Sequence, residues 1–202
     1  MKTRRAAACS LAWLLIAVAL VPSRAQSPAQ PTRSETAATL ALESGARAEL
    51  QSVLPQGRLV GQGRLKFWGL QVYDARLWAL PGFRAANFGS EPLALELNYL
   101  RSFDKLAIAE RSIAEMRRAA RISPQQAEAW TAALLKVIPD VQKGDRVMSL
   151  HQPGVGAVFW VNGLAAGEIR DAQFARLFFG IGLSPQTSEP ALRAALLAGA
   201  DA

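Results

Sequence analysis

Arg64 has the most distinctive chemical setting in this chain. It lies in residues 61–78, where large apolar side chains surround one arginine and one tyrosine, and which we interpret as one long, interrupted strand. Both alternating faces are partly hydrophobic, which predicts a strand between two layers. A guanidinium there requires an anion, several acceptors or a route to water. Arg64 could therefore hold a ligand's carboxylate or phenolate, or alternatively pair with Asp74 or lie exposed at a strand end.

Three aromatic residues are the next candidates for ligand contact. Tyr73 and Tyr99 are the only tyrosines, and either could present its hydroxyl beside the guanidinium. The alternative for each is burial with the hydroxyl bonded to a backbone carbonyl. Trp68 could line a pocket, although a tryptophan in a small domain more often fills the core. The predicted ligand-binding residues are Arg64, Trp68, Tyr73 and Tyr99, and we predict no catalytic residue.

Metal and cofactor chemistry has little support in the sequence. His151 is the sole histidine, lacks a serine or acid at triad-like spacing, and is expected at the surface near a turn. With one histidine and a single cysteine, Cys9, we expect no metal site and no disulfide. The Gly-x-Gly segments at 61–63 and 154–156 do not connect a strand to a helix as phosphate loops do. We therefore predict no cofactor.

Residues 1–25 predict a cleavable secretory signal peptide. A basic start is followed by an apolar run over residues 6–21 and by small residues before a cut after Ala25. The run is short for a membrane span of about 20 apolar residues. We expect export to the periplasm of a Gram-negative bacterium, by either the Sec or the twin-arginine route. Residues 26–41 predict a flexible tether, and 42–202 one domain with a hydrophobic core.

The net charge of +7 overstates the basicity of the exported chain. Four of the 23 Lys and Arg residues precede the predicted cut, which leaves 19 basic against 16 acidic residues, a net charge of +3. A charge this small does not indicate a nucleic-acid partner.

The periodicity of the domain predicts an α+β fold. Period-two alternation predicts further strands at 92–101, 146–152 and 155–161, and Asn162-Gly163 predicts a type I′ hairpin turn. Helical spacing and caps predict helices at 103–120, at 124–138 after a capping box, a short one after Asp171, and a last one at 189–198. Such segregated runs favour an antiparallel sheet covered on one face by helices.

Six segments in order resemble bacterial chalcone isomerase-like proteins: 61–73, 95–101, 112–118, 139–146, 174–183 and 187–193. The first, Gly-Gln-Gly-Arg-Leu-Lys-Phe-Trp-Gly-Leu-Gln-Val-Tyr, resembles the family's glycine-rich, arginine-bearing strand. The resemblance runs from about Leu59 to Leu197. It implies an open-faced β-sandwich, with an antiparallel sheet backed by a layer of helices. The cleft between them holds flavonoids in the plant enzymes and fatty acids in non-catalytic relatives.

The resemblance also implies a chemistry for the cleft. Family catalysis is an intramolecular conjugate addition of a phenolate to an enone, aided by an arginine and by hydroxyl side chains. Arg64 matches the arginine, and Ser184 lies near one hydroxyl position. Trp68 stands where the enzymes carry a threonine, and residues 126–134 contain neither the tyrosine nor the asparagine of the enzymes. Most of the catalytic polar groups are therefore absent.

Three functions follow as hypotheses. We favour a non-catalytic periplasmic protein that binds a small apolar anion such as a fatty acid, with Arg64 at the anionic end and Trp68 along the tail. The first alternative is a chalcone isomerase-like intramolecular lyase or isomerase acting on an enone. The second is an envelope interaction module whose cleft is filled by its own side chains. The expected partner is an amphiphilic small molecule, with at most a peripheral membrane contact and no nucleic acid or metal.

Overall fold

The computed structural model describes residues 48–201. The predicted signal peptide and tether lie outside this range, as do the first six residues of the predicted domain. No helix between residues 48 and 201 is both long and apolar enough to span a bilayer.

Six antiparallel strands form a single meandering sheet, in which each strand pairs with the next along the chain. The strands are β1 (Arg58–Phe67), β2 (Leu70–Ala79), β3 (Leu93–Tyr99), β4 (Arg146–Gln152), β5 (Gly156–Val161) and β6 (Leu164–Ile169). Tight turns join β1 to β2, β4 to β5 and β5 to β6. The turn after β5 has φ values of 52° at Asn162 and 84° at Gly163, as the predicted type I′ hairpin requires.

Four of the five described helices cover one face of this sheet. The helices are α1 (Ala48–Val53), α2 (Lys105–Met116), α3 (Pro124–Val137), α4 (Ala172–Leu183) and α5 (Pro190–Leu196). Helix α3 packs on β6, α4 on β4 and β5, and α5 on β1 and β2, while α2 packs on α3 and α4. Leu50 on α1 and Leu54 directly after it instead pack against Met148 and Leu150 on the other face. The predicted α+β fold is confirmed.

Side-chain caps fix where the longer helices begin. Ser123 and Gln126 form the predicted capping box at the start of α3, each side chain bonding to the other's backbone. Asp104 accepts from the Ala107 N–H at 2.8 Å at the start of α2. Asp171 accepts from the Phe174 N–H at 2.8 Å at the start of α4, as its position predicted.

Helix α4 is longer than the sequence indicated. We predicted a short helix followed by a turn from Gly180, whereas the helix continues to Leu183. Phe174, Phe179 and Leu183 on this helix are fully buried in the main core. Burial of these side chains therefore outweighs the low helix propensity of the two glycines.

Residues 61–78 form a hairpin, so the single interrupted strand that we predicted is wrong. Trp68 and Gly69 have φ values of 51° and 77°, in the left-handed region used by type I′ turns. Strand β2 returns along β1, which places Arg64 directly opposite Asp74. A bulky L-residue in this region is an outlier and costs about 1–2 kcal/mol. For this reason the sequence did not predict a turn at Trp68-Gly69.

Ion pairs lie on the outer face, which we define as the face of the sheet away from α2–α5. Arg76 Nη1 donates to Glu96 Oε1 at 2.8 Å, and Glu96 is fully buried. Arg146 lies between two acids: its Nη1 contacts Glu49 Oε1 on α1 and is 3.7 Å from Glu96 Oε2. The network therefore links α1 to the centre of the sheet.

Gly61 allows α5 to lie directly on β1. A Cβ at this position would stand 2.3 Å from Ala195 O and 2.5 Å from Leu196 O, both backbone atoms of or beside the helix. The Gly199 N–H also donates to Val60 O at 2.9 Å, which holds the chain after α5 on the same strand. The glycine-rich segment therefore serves close packing of the C-terminal helix.

His151 is buried and not at the surface, where we predicted it. It is 1% exposed, lies beside the Phe179 ring at 5.1 Å between centroids, and has Nδ1 3.1 Å from the Glu91 carbonyl oxygen. Because a carbonyl only accepts, Nδ1 carries the proton and donates. Burial lowers the pKa of His151, and the bond to Glu91 opposes part of that shift.

This burial predicts a loss of stability in mild acid. The unfolded histidine has a pKa of about 6.5, above the folded value, so the unfolded chain takes up the proton first. The free energy of unfolding should therefore fall as the pH decreases from about 6.5 through the folded pKa. Urea unfolding between about pH 5 and 8 measures the slope. His151→Gln keeps an N–H donor without titrating, and an unchanged slope in this variant would contradict the assignment.

Candidate ligand-binding cavity

A cavity of about 360 Å³ lies between strands β1–β4 and the helices α2, α4 and α5. This volume falls in the range of about 300–1,000 Å³ typical of small-molecule sites. Its lining is mainly apolar and includes Leu65, Phe67, Leu95, Leu97, Phe103, Ile108, Val147, Phe178, Ile181 and Leu192. A larger concavity over residues 117–122 is lined by one surface turn and encloses nothing. The cleft predicted between sheet and helices is therefore open and not filled by side chains.

Tyr73 and Tyr99 line this cavity side by side. They are opposite each other on β2 and β3, with ring centroids 5.9 Å apart and planes at 74°. Tyr99 is 5% exposed. Among residues 48–201, no hydrogen-bond partner exists for either hydroxyl. Both hydroxyls are thus available to a ligand.

The surroundings of the two phenols keep them protonated. Burial, together with the negative charges of Glu189 and Glu115 and against the opposing charge of Arg111, raises the pKa of Tyr73 to about 12. Burial, with a contribution from Tyr73, also raises the pKa of Tyr99. At neutral pH each residue therefore presents an O–H donor, suited to a carboxylate or carbonyl oxygen and not to proton abstraction.

Helix α2 supplies two charged groups of the cavity, Arg111 and Glu115, and Glu189 before α5 supplies a third. Arg111 Nη2 lies 2.7 Å from Glu115 Oε1, and the guanidinium carbon is 5.6 Å from the centroid of the Phe67 ring. The Arg111 side chain is 57% exposed, whereas that of Glu115 is 9% exposed. Arg111 therefore lies at the mouth of the cavity, with one bond to Glu115 and further N–H groups that can donate to a ligand.

Arg64 does not line the cavity, so its predicted place in the cleft is wrong. Its Nε and Nη2 donate to Asp74 Oδ1 and Oδ2 at 2.5 and 2.8 Å, and Nη1 donates to Gln71 Oε1 at 2.8 Å. This pair lies on the outer face, because Asp74 is one residue out of phase with the cavity-lining Tyr73. The bond from Arg64 lowers the pKa of Asp74. The structure therefore shows the alternative that the sequence left open, an ion pair between Arg64 and Asp74.

Trp68 is also placed outside the cavity. It is 90% exposed at the end of the β1–β2 hairpin, while the preceding Phe67 lines the cavity. Ser184, which lies near a family hydroxyl position in sequence, is the C-cap of α4 and contacts Gln186. Of the four predicted ligand-binding residues, the structure brings together Tyr73 and Tyr99 and separates Arg64 and Trp68 from them.

Six polar residues of the cavity were not predicted, and two of them are Ser112 on α2 and Ser149 on β4. Arg111 and Glu115 are on α2, and Ser188 and Glu189 precede α5. The available signal was the spacing of four residues between Arg111 and Glu115, beside the buried stripe of Ala109, Ile113 and Met116. The same spacing is common on solvated helix faces, so it did not distinguish a cavity-lining pair from a surface pair.

The groups around the cavity suit an amphiphile better than a metal ion. Within the described range, no three His, Cys, Asp or Glu side chains are grouped so that they could hold one. The cavity instead combines an apolar body with two phenol donors, a cation at its mouth and two carboxylates, Glu115 and Glu189. This arrangement can hold an oxygen acceptor at one end of a largely hydrocarbon molecule.

The fold and cavity define a chalcone isomerase-like protein. Residues 58–198 match the chalcone isomerase-like family, and the chain belongs to it. Among solved structures, the chain is similar to a fatty-acid binding protein of Arabidopsis thaliana, with a TM-score of 0.55 and 12% identity. The match covers 72% of this chain and 88% of that one, and at this identity it shows the fold alone. No curated protein matches the sequence significantly.

Proposed function

We propose that this protein binds a fatty acid or a similar small apolar anion in the cavity and does not transform it. The observation that carries the proposal is the apolar cavity lined by two unpartnered, protonated phenols. The name of the Arabidopsis neighbour, a fatty-acid binding protein, supports the same class of ligand. Action in the periplasm is part of the proposal and is supported by the N-terminal sequence alone.

The binding mode follows from the donors present. The ligand's carboxylate accepts from the Tyr73 and Tyr99 hydroxyls and from an Arg111 N–H group not used by Glu115. The hydrocarbon tail then packs against the strand residues Leu95 and Leu97. A hydrogen bond to a charged group contributes about 1.5–3 kcal/mol, so loss of one donor should weaken binding by roughly ten- to a hundredfold.

Catalysis of the chalcone isomerase type has less support. That hypothesis was motivated by Arg64 polarising a substrate in the cleft, and Arg64 is paired with Asp74 on the outer face. The two phenols nearest the cavity stay protonated at neutral pH and cannot act as bases. A filled-cleft interaction module is opposed by the cavity itself.

The proposal is tested by comparing two arginines. Arg111→Gln is expected to weaken fatty-acid binding by about tenfold or more, because the cation at the mouth is lost. Arg64→Gln, the matched control, should bind as the wild type does. Calorimetry with a fatty acid and with its methyl ester measures both, and the ester should be insensitive to Arg111. Equal loss in both variants, or no binding and no lipid co-purifying with the native protein, would refute the proposal.

A further inference from the structure

The β1–β2 hairpin ends in an exposed apolar group that the cavity does not explain. We call Phe67, Trp68 and Leu70 the hairpin tip, and they are 49%, 90% and 52% exposed. They are three of the eight large apolar side chains exposed among residues 48–201. Trp68 also holds a φ of 51°, which strains a tryptophan and would suit Asn or Gly. Fold stability therefore does not account for a tryptophan at this position.

The hairpin tip adjoins the mouth of the cavity and is flanked by cations. Phe67 both belongs to the tip and lines the cavity. The Arg111 guanidinium lies 5.6 Å from the Phe67 ring centroid, and Lys66 next to it in sequence is exposed. Cationic groups thus flank the apolar tip, with Arg111 on the cavity side and Lys66 on the outer face of β1.

We propose that the hairpin tip docks the protein on an anionic phospholipid bilayer, with Trp68 in the interface and Lys66 and Arg111 at lipid phosphates. Tryptophan favours the boundary between head groups and acyl chains because its ring is apolar and its N–H polar. Basic side chains near that boundary are attracted to anionic lipid. Docking through the hairpin tip would bring the cavity entrance to the membrane.

A second copy of this chain fits the tip less well. A stable dimer buries about 1,200–2,000 Å² in total, and three side chains at the end of a hairpin cannot supply that area. Docking on a bilayer does not require an occupied cavity, so it goes beyond the proposed function. Only transfer of a ligand from the membrane into the cavity rests on that function.

The test compares Trp68→Asn with Val155→Ser on vesicles of phosphatidylcholine with and without phosphatidylglycerol. Val155 is 49% exposed in the β4–β5 turn, at the opposite end of the sheet from the tip. Asn suits the turn, so Trp68→Asn should be at least as stable as the wild type. The protein is purified as the cell produces it, with its N-terminus determined, so that all variants carry the same N-terminal segment.

We expect Trp68→Asn to lower the partition coefficient for anionic vesicles by roughly tenfold, and Val155→Ser to leave it unchanged. Lys66→Gln should reduce only the increase in partition coefficient that phosphatidylglycerol causes. Brominated acyl chains should quench the Trp68 emission, taken as the difference between the wild type and Trp68→Phe. Trp68→Asn should still bind fatty acid in solution, which separates failure of docking from failure of the proposed function.

Three results would overturn the proposal: vesicle binding by Trp68→Asn equal to that of the wild type, no quenching of Trp68, or equal binding to neutral and anionic vesicles. A dimer that Trp68→Asn disrupts, without vesicle binding by the wild type, would overturn it in favour of a second copy.

Discussion

Arg146→Met is expected to lower the free energy of unfolding by about 3–5 kcal/mol. The Arg146 side chain is 14% exposed and lies between Glu49 and Glu96, which are 5% and 0% exposed. Methionine retains an apolar stem but leaves the two carboxylates with less compensating charge, while Glu96 keeps its bonds from Arg76 and Asn98. Urea unfolding near neutral pH measures the difference.

Arg64→Met is the matched control for this prediction. The Arg64–Asp74 pair has similar bonding but lies in solvent, with the arginine side chain 42% exposed. Exposed pairs contribute little, because water screens the charges and two long side chains must be ordered. We expect no measurable change in stability, and similar losses in both variants would contradict the role given to burial.

Ser149→Phe is expected to weaken fatty-acid binding by about a hundredfold or more, while the fold stays stable. Ser149 lines the cavity from β4, is 4% exposed, and donates to Leu95 O across a long 3.3 Å bond. A phenyl ring there takes space that the acyl chain would occupy, and filling an apolar void does not in itself destabilise a protein. Calorimetry and thermal unfolding measure the two effects.

The control is Ser102→Phe, at an exposed position that does not line the cavity. It should bind fatty acid as the wild type does. If the phenyl ring overpacks β4, the smaller Ser149→Leu provides the same test with less volume. Wild-type affinity in a folded Ser149 variant would show that the ligand binds elsewhere.

The strands and helices of this fold were predictable where local signals agree with packing. The capping box at Ser123 and the Asn162-Gly163 turn each determine a structure within a few residues, and both were predicted correctly. Trp68-Gly69 forms a similar turn without a favourable residue at its first position. In β3, Tyr99 alternates in phase with Leu95 and Leu97, and all three line the cavity.

The site was less predictable because it depends on register and on contacts between distant elements. The sequence shows that Arg64 is in a strand and that Asp74 is a possible partner, but the turn at Trp68 decides that they are opposite each other. Arg111 is 38 residues from Tyr73 in sequence. Only the packing of α2 against α3 and α4 brings both residues to the same cavity, and no local pattern encodes that.

The contact of α5 with β1 joins the first strand of the sheet to the last helix of the chain. Strand β1 is an edge strand, and Gly61 and Gly63 carry no side chain that could cover it. Until residues 190–199 have been synthesised, this surface and one wall of the cavity have no cover. The domain therefore completes its fold only after residues 190–199 are available to pack on β1.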